Sequence, residues 1–131
     1  MAAPTFKVLI FLKRRPGMPL EAFCDYYEGV HSKLCAKLMI GASRYVRRYV
    51  EPRPNSLTGK DDELEFDVIT ELWYDDRAVF EKAVDLSSRG RLPADVLADE
   101  ERLFDRSKTR YATVVEFDSE LPRRTDRPGS A

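Results

Sequence analysis

The stretch FDVITELWY, residues 66–74, limits the possible folds more than any other part of the chain. Its aromatic and β-branched residues favour a strand, and in a strand successive side chains point to opposite faces. One face then carries Phe66, Val68, Thr70, Leu72 and Tyr74, and the other carries Asp67, Ile69, Glu71 and Trp73. Neither set is polar enough to be left in water. Residues 6–13 repeat the pattern, with Phe6, Val8, Ile10 and Leu12 opposite Leu9 and Phe11. An antiparallel sheet with one wet face alternates more cleanly than this. The sheet must therefore be covered on both sides.

The rest of the chain supplies cover for one side. RRPGMP, residues 14–19, ends the first strand, and Pro19 suits the first helical position. The apolar spacing then becomes helical: Leu20, Phe23, Cys24, Tyr27, His31, Leu34, Cys35 and Leu38, with Gly41 as a stop. Residues 44–50, RYVRRYV, read as a second strand, residues 51–63 as a polar loop, and residues 65–74 as the third strand. A capped helix follows over 75–84, a second helical segment over 93–104, and a last strand over 110–117. The order β-α-β-β-α(α)-β is the ferredoxin-like plan, an α+β fold with a four-stranded antiparallel sheet and helices on one face. A second subunit packed sheet to sheet is the simplest cover for the other face, which predicts a homodimer. Residues 1–120 are expected to form a single domain and residues 121–131 a flexible C-terminal tail, since that stretch has no apolar period.

RYVRRYV could pass for a basic strip that binds nucleic acid. The charge balance opposes this, with 22 Lys and Arg against 23 Asp and Glu and a net charge of -1. A nucleic-acid binder normally carries a basic excess. As a strand, the segment puts Tyr45, Arg47 and Tyr49 on one face and Arg44, Val46, Arg48 and Val50 on the other. Arg47 or Arg48 is placed to neutralise Asp67 or Glu71 on the adjacent strand. The longest N-terminal apolar run, VLIFL at 8–12, is too short for a membrane span or a signal-peptide core. A cytoplasmic protein without membrane attachment is expected. Cys24 and Cys35, on one helix, would lie about 16 Å apart, too far for a disulfide.

His31 is the only histidine. At about 100° per residue it falls within about 20° of Leu20, near the middle of the apolar stripe. Two readings stand: a core histidine with both ring nitrogens satisfied, or a general acid/base. Asp67 and Glu71 share a largely apolar strand face with Trp73, where a carboxylate is costly unless paired. Either a cross-strand arginine pairs with them, or one of them orients His31. Tyr27, Tyr45, Tyr49 and Trp73 could line an aromatic pocket. The sequence has no Gly-rich phosphate loop, nucleophile elbow, metal motif or dinucleotide fingerprint, so neither a metal nor another cofactor is expected.

RRPGMPLEAFCDYYEGVH (residues 14–31), RYVRRYV and FDVITELWYDD (residues 66–76) occur in this order, and together they resemble the EthD family of the dimeric α+β barrel superfamily. The resemblance covers most of residues 5–117. It implies a ferredoxin-like protomer, a dimer with facing sheets, and a pocket between helix and sheet. It also implies His31 and Asp67 as the catalytic pair, with Glu71 and Trp73 in the same run; together with the pocket tyrosines Tyr27, Tyr45 and Tyr49, these are expected around a small apolar ligand. Ser32-Lys33 follows the histidine here, where the family often has a small residue and proline. The expected activity is cofactor-independent proton transfer, as in a dehydratase, cyclase or isomerase acting on an aromatic or polyketide-like molecule. An oxidoreductase, either cofactor-free or haem-dependent, and a non-catalytic metabolite-binding protein are the alternatives.

Overall fold

The computed structural model describes residues 4–90 and 92–123. Four strands, β1 (Phe6–Leu12), β2 (Ala42–Tyr49), β3 (Val68–Tyr74) and β4 (Arg110–Thr113), form one antiparallel sheet in the order β2-β3-β1-β4. This is the ferredoxin-like order, with the helices on one face. The long helix expected from Leu20 onward is in three parts: α1 (Leu20–Tyr26), a π-helical turn (Tyr27–His31) and α2 (Ser32–Ala36). α3 (Arg77–Ser88) and α4 (Ala94–Leu103) complete the helical layer. Pro19 precedes α1 as its N-cap, and its carbonyl accepts from Phe23 N–H at 3.0 Å. Asp76 caps α3 by accepting from the backbone N–H groups of Ala78 and Val79.

Strand register fixes which side chains meet. Phe6 to Leu12 pair with Tyr74 to Val68, and Tyr45, Arg47 and Tyr49 pair with Leu72, Thr70 and Val68. The helix-facing layer therefore contains Val8, Leu12, Val68, Thr70, Leu72 and Tyr74, all buried. Phe23, Tyr27, Leu103 and Phe104 pack onto this layer from the helices and the chain just after α4. The division of RYVRRYV into two faces matches the alternation expected of it.

The opposite face holds the arginines' other partners. Trp73 is flanked by Arg44 and Lys7, whose cationic groups lie 4.4 and 4.1 Å from its ring centroid. Its indole N–H donates to Glu71 at 2.9 Å, and Glu71 also accepts from Arg48. The expected cross-strand neutralisation of Glu71 is thus made by Arg48. Burial alone would raise the Glu71 carboxyl, but the bonds from Arg48 and Trp73 hold it below its ordinary value. Arg47 turns to the helical side and grips Glu28 through two bonds, at 2.7 and 3.0 Å. Leu9, Phe11, Val46, Ile69 and Trp73 are only half-buried on this outer face.

β2 runs over Ala42–Tyr49 where 44–50 was expected and α3 over Arg77–Ser88 where 75–84 was expected, but the shifts in β4 and β3 matter most. β4 ends at Thr113, not Phe117: it pairs with β1 only over Val8 to Phe11 and leaves the ladder while Lys7 and Phe6 of β1 continue past it. Val115 and Phe117 are consequently 85% and 95% exposed. β3 begins at Val68, so Asp67 stands just before it. The expected tail at 121–131 falls mostly on residues 124–131, outside the described residues.

Gly41 turns the chain from α2 into β2 with φ of +89°. A β-carbon built there would lie 2.6 Å from Val79 Cγ1 of α3. The left-handed backbone costs an L-residue about 1–2 kcal/mol before any clash. Gly41→Ala should therefore lose about 2 kcal/mol or more of unfolding free energy, measured by urea titration. A loss below about 0.5 kcal/mol would contradict this account of the turn.

Candidate functional site

The site forms where the π turn packs against α4. A π turn closes its backbone bonds one residue further along than an α-helix and is frequent at functional positions. Here it carries Tyr27 and His31, both buried, with ring centroids 5.3 Å apart and edge to face. Phe104 also meets the imidazole edge-on, at 5.2 Å, and lies 5.6 Å from Tyr27, so the three rings form one cluster. These rings keep water from a histidine that is 3% exposed.

The histidine's carboxylate partner is Asp99 on α4, not Asp67. His31 Nδ1 lies 2.7 Å from Asp99 Oδ2, and the Tyr26 hydroxyl donates to Asp99 Oδ1. His31 Nε2 lies 3.3 Å from Cys35 Sγ, one helical turn further on. With Asp99 accepting the Nδ1 proton, Nε2 is the acceptor and the thiol donates to it. Burial disfavours the imidazolium and outweighs the support from Asp99, so the His31 pKa lies below its ordinary value. At neutral pH the ring is uncharged, with a basic nitrogen at Nε2.

Asp67 serves a different structure. Its carboxylate accepts from the Arg14 backbone N–H at 2.9 Å and its guanidinium at 3.2 Å, with Lys13 3.5 Å away. It lines a separate cleft with Arg14 and Glu63. The position just before β3 aims Asp67 at the chain leaving β1, and the proposed His31–Asp67 pair is not formed. Glu71 and Trp73 lie on the outer sheet face, away from the histidine. Tyr49 donates to Glu28 at 2.6 Å and packs beside Phe23 and Tyr27.

Of the residues expected around a ligand, Tyr27 and Tyr45 line the same cavity as His31. This cavity, between helices and sheet, has a volume of about 150 Å³ and mostly apolar walls, including Ile10, Leu72 and Val96. A cavity of that order accommodates a benzene-sized molecule. The Tyr27 and Thr70 hydroxyls are hydrogen-bonded at 2.6 Å, and Tyr27 accepts from the Tyr45 hydroxyl at 3.4 Å. Burial pushes the Tyr27 phenol up to about 12 and raises that of Tyr45 further, so both keep their protons. Glu100 also lines the cavity, and burial raises its pKa despite Arg106 at 3.6 Å.

Asp99 was legible by an argument the sequence permits. Val96, Asp99 and Leu103 are the buried residues of α4, spaced i, i+3 and i+7. A carboxylate on the apolar stripe of one helix, and a histidine on that of another, are natural partners. The high acidity of this segment, ADEE at 98–101, concealed the one aspartate that faces inward.

Residues 15–107 match the EthD domain. The chain is similar to the structure of an ethyl tert-butyl ether D (EthD) family protein from Bacillus halodurans, at 18% identity and a TM-score of 0.55, covering 86% of this chain and 99% of that one. It is also similar to an EthD-like protein from Ralstonia eutropha, at 18% identity and 0.51, covering 96% and 100%. A hypothetical Arabidopsis thaliana protein aligns at 12% identity and 0.55, covering 92% and 95%. At these identities the likeness is one of fold. No curated protein sequence matched the chain.

Because His31 is the only histidine, its NMR titration can be followed without ambiguity. It should titrate below the ordinary value of about 6.5, and Asp99→Asn should lower it further by removing the charge that favours the imidazolium. Asp67→Asn should leave it within about 0.2 units, a shift small beside the spread of about 1 unit among proteins. The reverse pattern would restore Asp67 as the partner. Linkage has a definite sign here: a depressed folded-state pKa gives stability that is fully present above the unfolded value and lost as pH falls through the folded one. Unfolding free energy should therefore fall with acidification below about pH 6.5, and less so in a His31→Phe variant.

Proposed function

The chain belongs to the EthD family, with the domain spanning residues 15–107, and on that premise we propose that it is an enzyme of proton transfer acting on a small, ring-sized carbonyl compound. The observation that carries this reading is a neutral histidine, held at Nδ1 by a buried carboxylate, on the wall of an apolar cavity. His31 Nε2 would take a proton from carbon next to a carbonyl once the ligand has turned the Cys35 thiol aside. Asp99 favours the imidazolium that results, and the same proton can return to a leaving hydroxyl or another carbon. Dehydration, cyclisation and isomerisation all have this form. The Tyr45 hydroxyl, which stays protonated, can donate to the carbonyl oxygen as charge builds there. The chain's own residues supply every group this chemistry uses.

The bond from Cys35 to Nε2 supports a second reading. In it His31 is an internally satisfied core residue and the cavity binds a metabolite without turnover. The same bond weakens the haem reading, because axial ligation would need the nitrogen that Cys35 already occupies. Among the described residues, no helix is long and apolar enough to cross a membrane. The half-buried outer sheet face, together with Val115 and Phe117 beyond β4, supports a homodimer joined through its sheets.

Small cyclic and aromatic ketones screened for deuterium uptake at the carbon next to the carbonyl should reveal exchange catalysed by the protein. His31→Ala should slow it about 100-fold or more, within the usual range for a general base. The rate should fall on acidification with a midpoint below about 6.5, since only the neutral ring accepts a proton. Tight ligand binding with no exchange, unchanged by His31→Ala, would favour the binding protein. Placing aspartate at Ile69, on the outer sheet face, should shift the mass in light scattering from dimer to monomer; an unchanged mass would remove the sheet-to-sheet dimer.

A further inference from the structure

Cys35, His31 and Asp99 form a continuous line. Sγ is 3.3 Å from Nε2, and Nδ1 is 2.7 Å from Oδ2. Cys35 and His31 both line the cavity, the histidine buried and the cysteine half-buried. The group that stands against Nε2 is therefore sulfur, backed by a base that is itself oriented by a carboxylate. This is the arrangement of an activated nucleophile, and it is independent of whether His31 also acts directly on a ligand.

We propose that Cys35 is the nucleophile of a thiol–imidazole–carboxylate array that adds reversibly to small α,β-unsaturated carbonyl compounds held in the cavity. The sulfur lone pair forms a bond to the β-carbon, and the carbon–carbon π pair shifts to the α-carbon and carbonyl oxygen as an enolate. The thiol proton passes to His31 Nε2 and then returns to the α-carbon. One S–H and one C=C are consumed, one S–C and one C–H are formed, and no oxidant or reductant takes part. The apolar walls and the volume of about 150 Å³ select an uncharged acceptor of about one ring.

The electrostatics decide when sulfur becomes reactive. Burial and the nearby carboxylates of Glu100, Asp99 and Asp95 push the Cys35 thiol up to about 12, so at neutral pH it carries its proton. No thiolate stands ready for solvent reagents. Asp99, however, favours the imidazolium that appears as the carbon–sulfur bond forms. Activation is thus coupled to addition, and an electrophile must sit in the cavity to benefit. Cys24 is an internal control, since it is also half-buried but packs against the aromatic core.

The test treats the full chain with 2-cyclohexen-1-one at neutral pH and measures adducts at each cysteine by mass spectrometry of tryptic peptides. Cleavage at Lys33 separates the two cysteines. Cys35 should be modified at least tenfold faster than Cys24, with one enone added per chain in the fast phase. His31→Phe should slow Cys35 at least tenfold and leave Cys24 unchanged. Asp99→Asn, which conserves volume, should slow Cys35 several-fold and serves where a lost melting transition shows that His31→Phe has not folded. Equal rates at the two cysteines of the wild-type chain would overturn the proposal. So would a Cys35 rate indifferent to a folded substitution at His31 or Asp99. The adduct is read without any turnover, so its absence leaves the proton-transfer reading standing, and failure of ketone exchange leaves this one standing.

Discussion

The hydrogen bond between His31 and Asp99 is the interaction on which the arrangement of this protein depends. It joins the π turn to α4 across the edge of the cavity, 68 residues apart in sequence. Both side chains are nearly inaccessible to water, so neither could sit there alone without a large desolvation cost. Tyr26 occupies the second carboxylate oxygen and Cys35 the second ring nitrogen, and the chain of donors and acceptors is complete. Among the described residues no fully buried side-chain polar atom lacks a partner. The network fixes the tautomer, and the surrounding aromatic rings fix the charge. A neutral base on an apolar wall is the result.

The sheet solves a different electrostatic problem. Its strand β2 carries Arg44, Arg47 and Arg48 close together, which in a balanced chain calls for local anions or aromatic faces. Each guanidinium finds its own partner: Arg44 stacks on Trp73, Arg48 binds Glu71, and Arg47 reaches across to Glu28 in the π turn. Arg47 also lies 4.5 Å from the Tyr45 ring. The last pair matters for the site, because it ties the edge strand carrying Tyr45 to the turn carrying His31. Exposed ion pairs add little stability by themselves; their value here is in register and orientation.

The strand faces were legible because a period of two leaves no freedom: once residues 44–50 are extended, Tyr45 and Arg47 must share a side. The same rule put Thr70 and Leu72 on one face and Trp73 on the other, while the packing of the helices decided which face they cover. Asp67 misled for a related reason. It belongs by alternation to the outer set, but it lies just beyond the end of β3, where the chain bends to meet Arg14 and strict alternation no longer governs. Asp99 resembles its exposed neighbours because surface helices are normally acidic, and only its position between Val96 and Leu103 marks it as inward-facing. The π turn has no propensity signature to read, since Tyr-Glu-Gly-Val-His forms an ordinary helical pattern.

By itself the sequence determined the order of the elements, the faces of the strands, the position of His31 on an apolar stripe and the resemblance that proved to be membership of the EthD family. These are local or periodic properties, set by backbone geometry and the burial of apolar side chains. Only the tertiary structure decided that Asp99 holds His31, that Cys35 occupies the other nitrogen, and that Asp67 belongs to Arg14. Those choices depend on which of several carboxylates a helix crossing brings within about 3 Å. A chain with 23 acidic residues offers many candidates; spacing can mark Asp99 as inward-facing, but it does not say which side chain of another helix it meets.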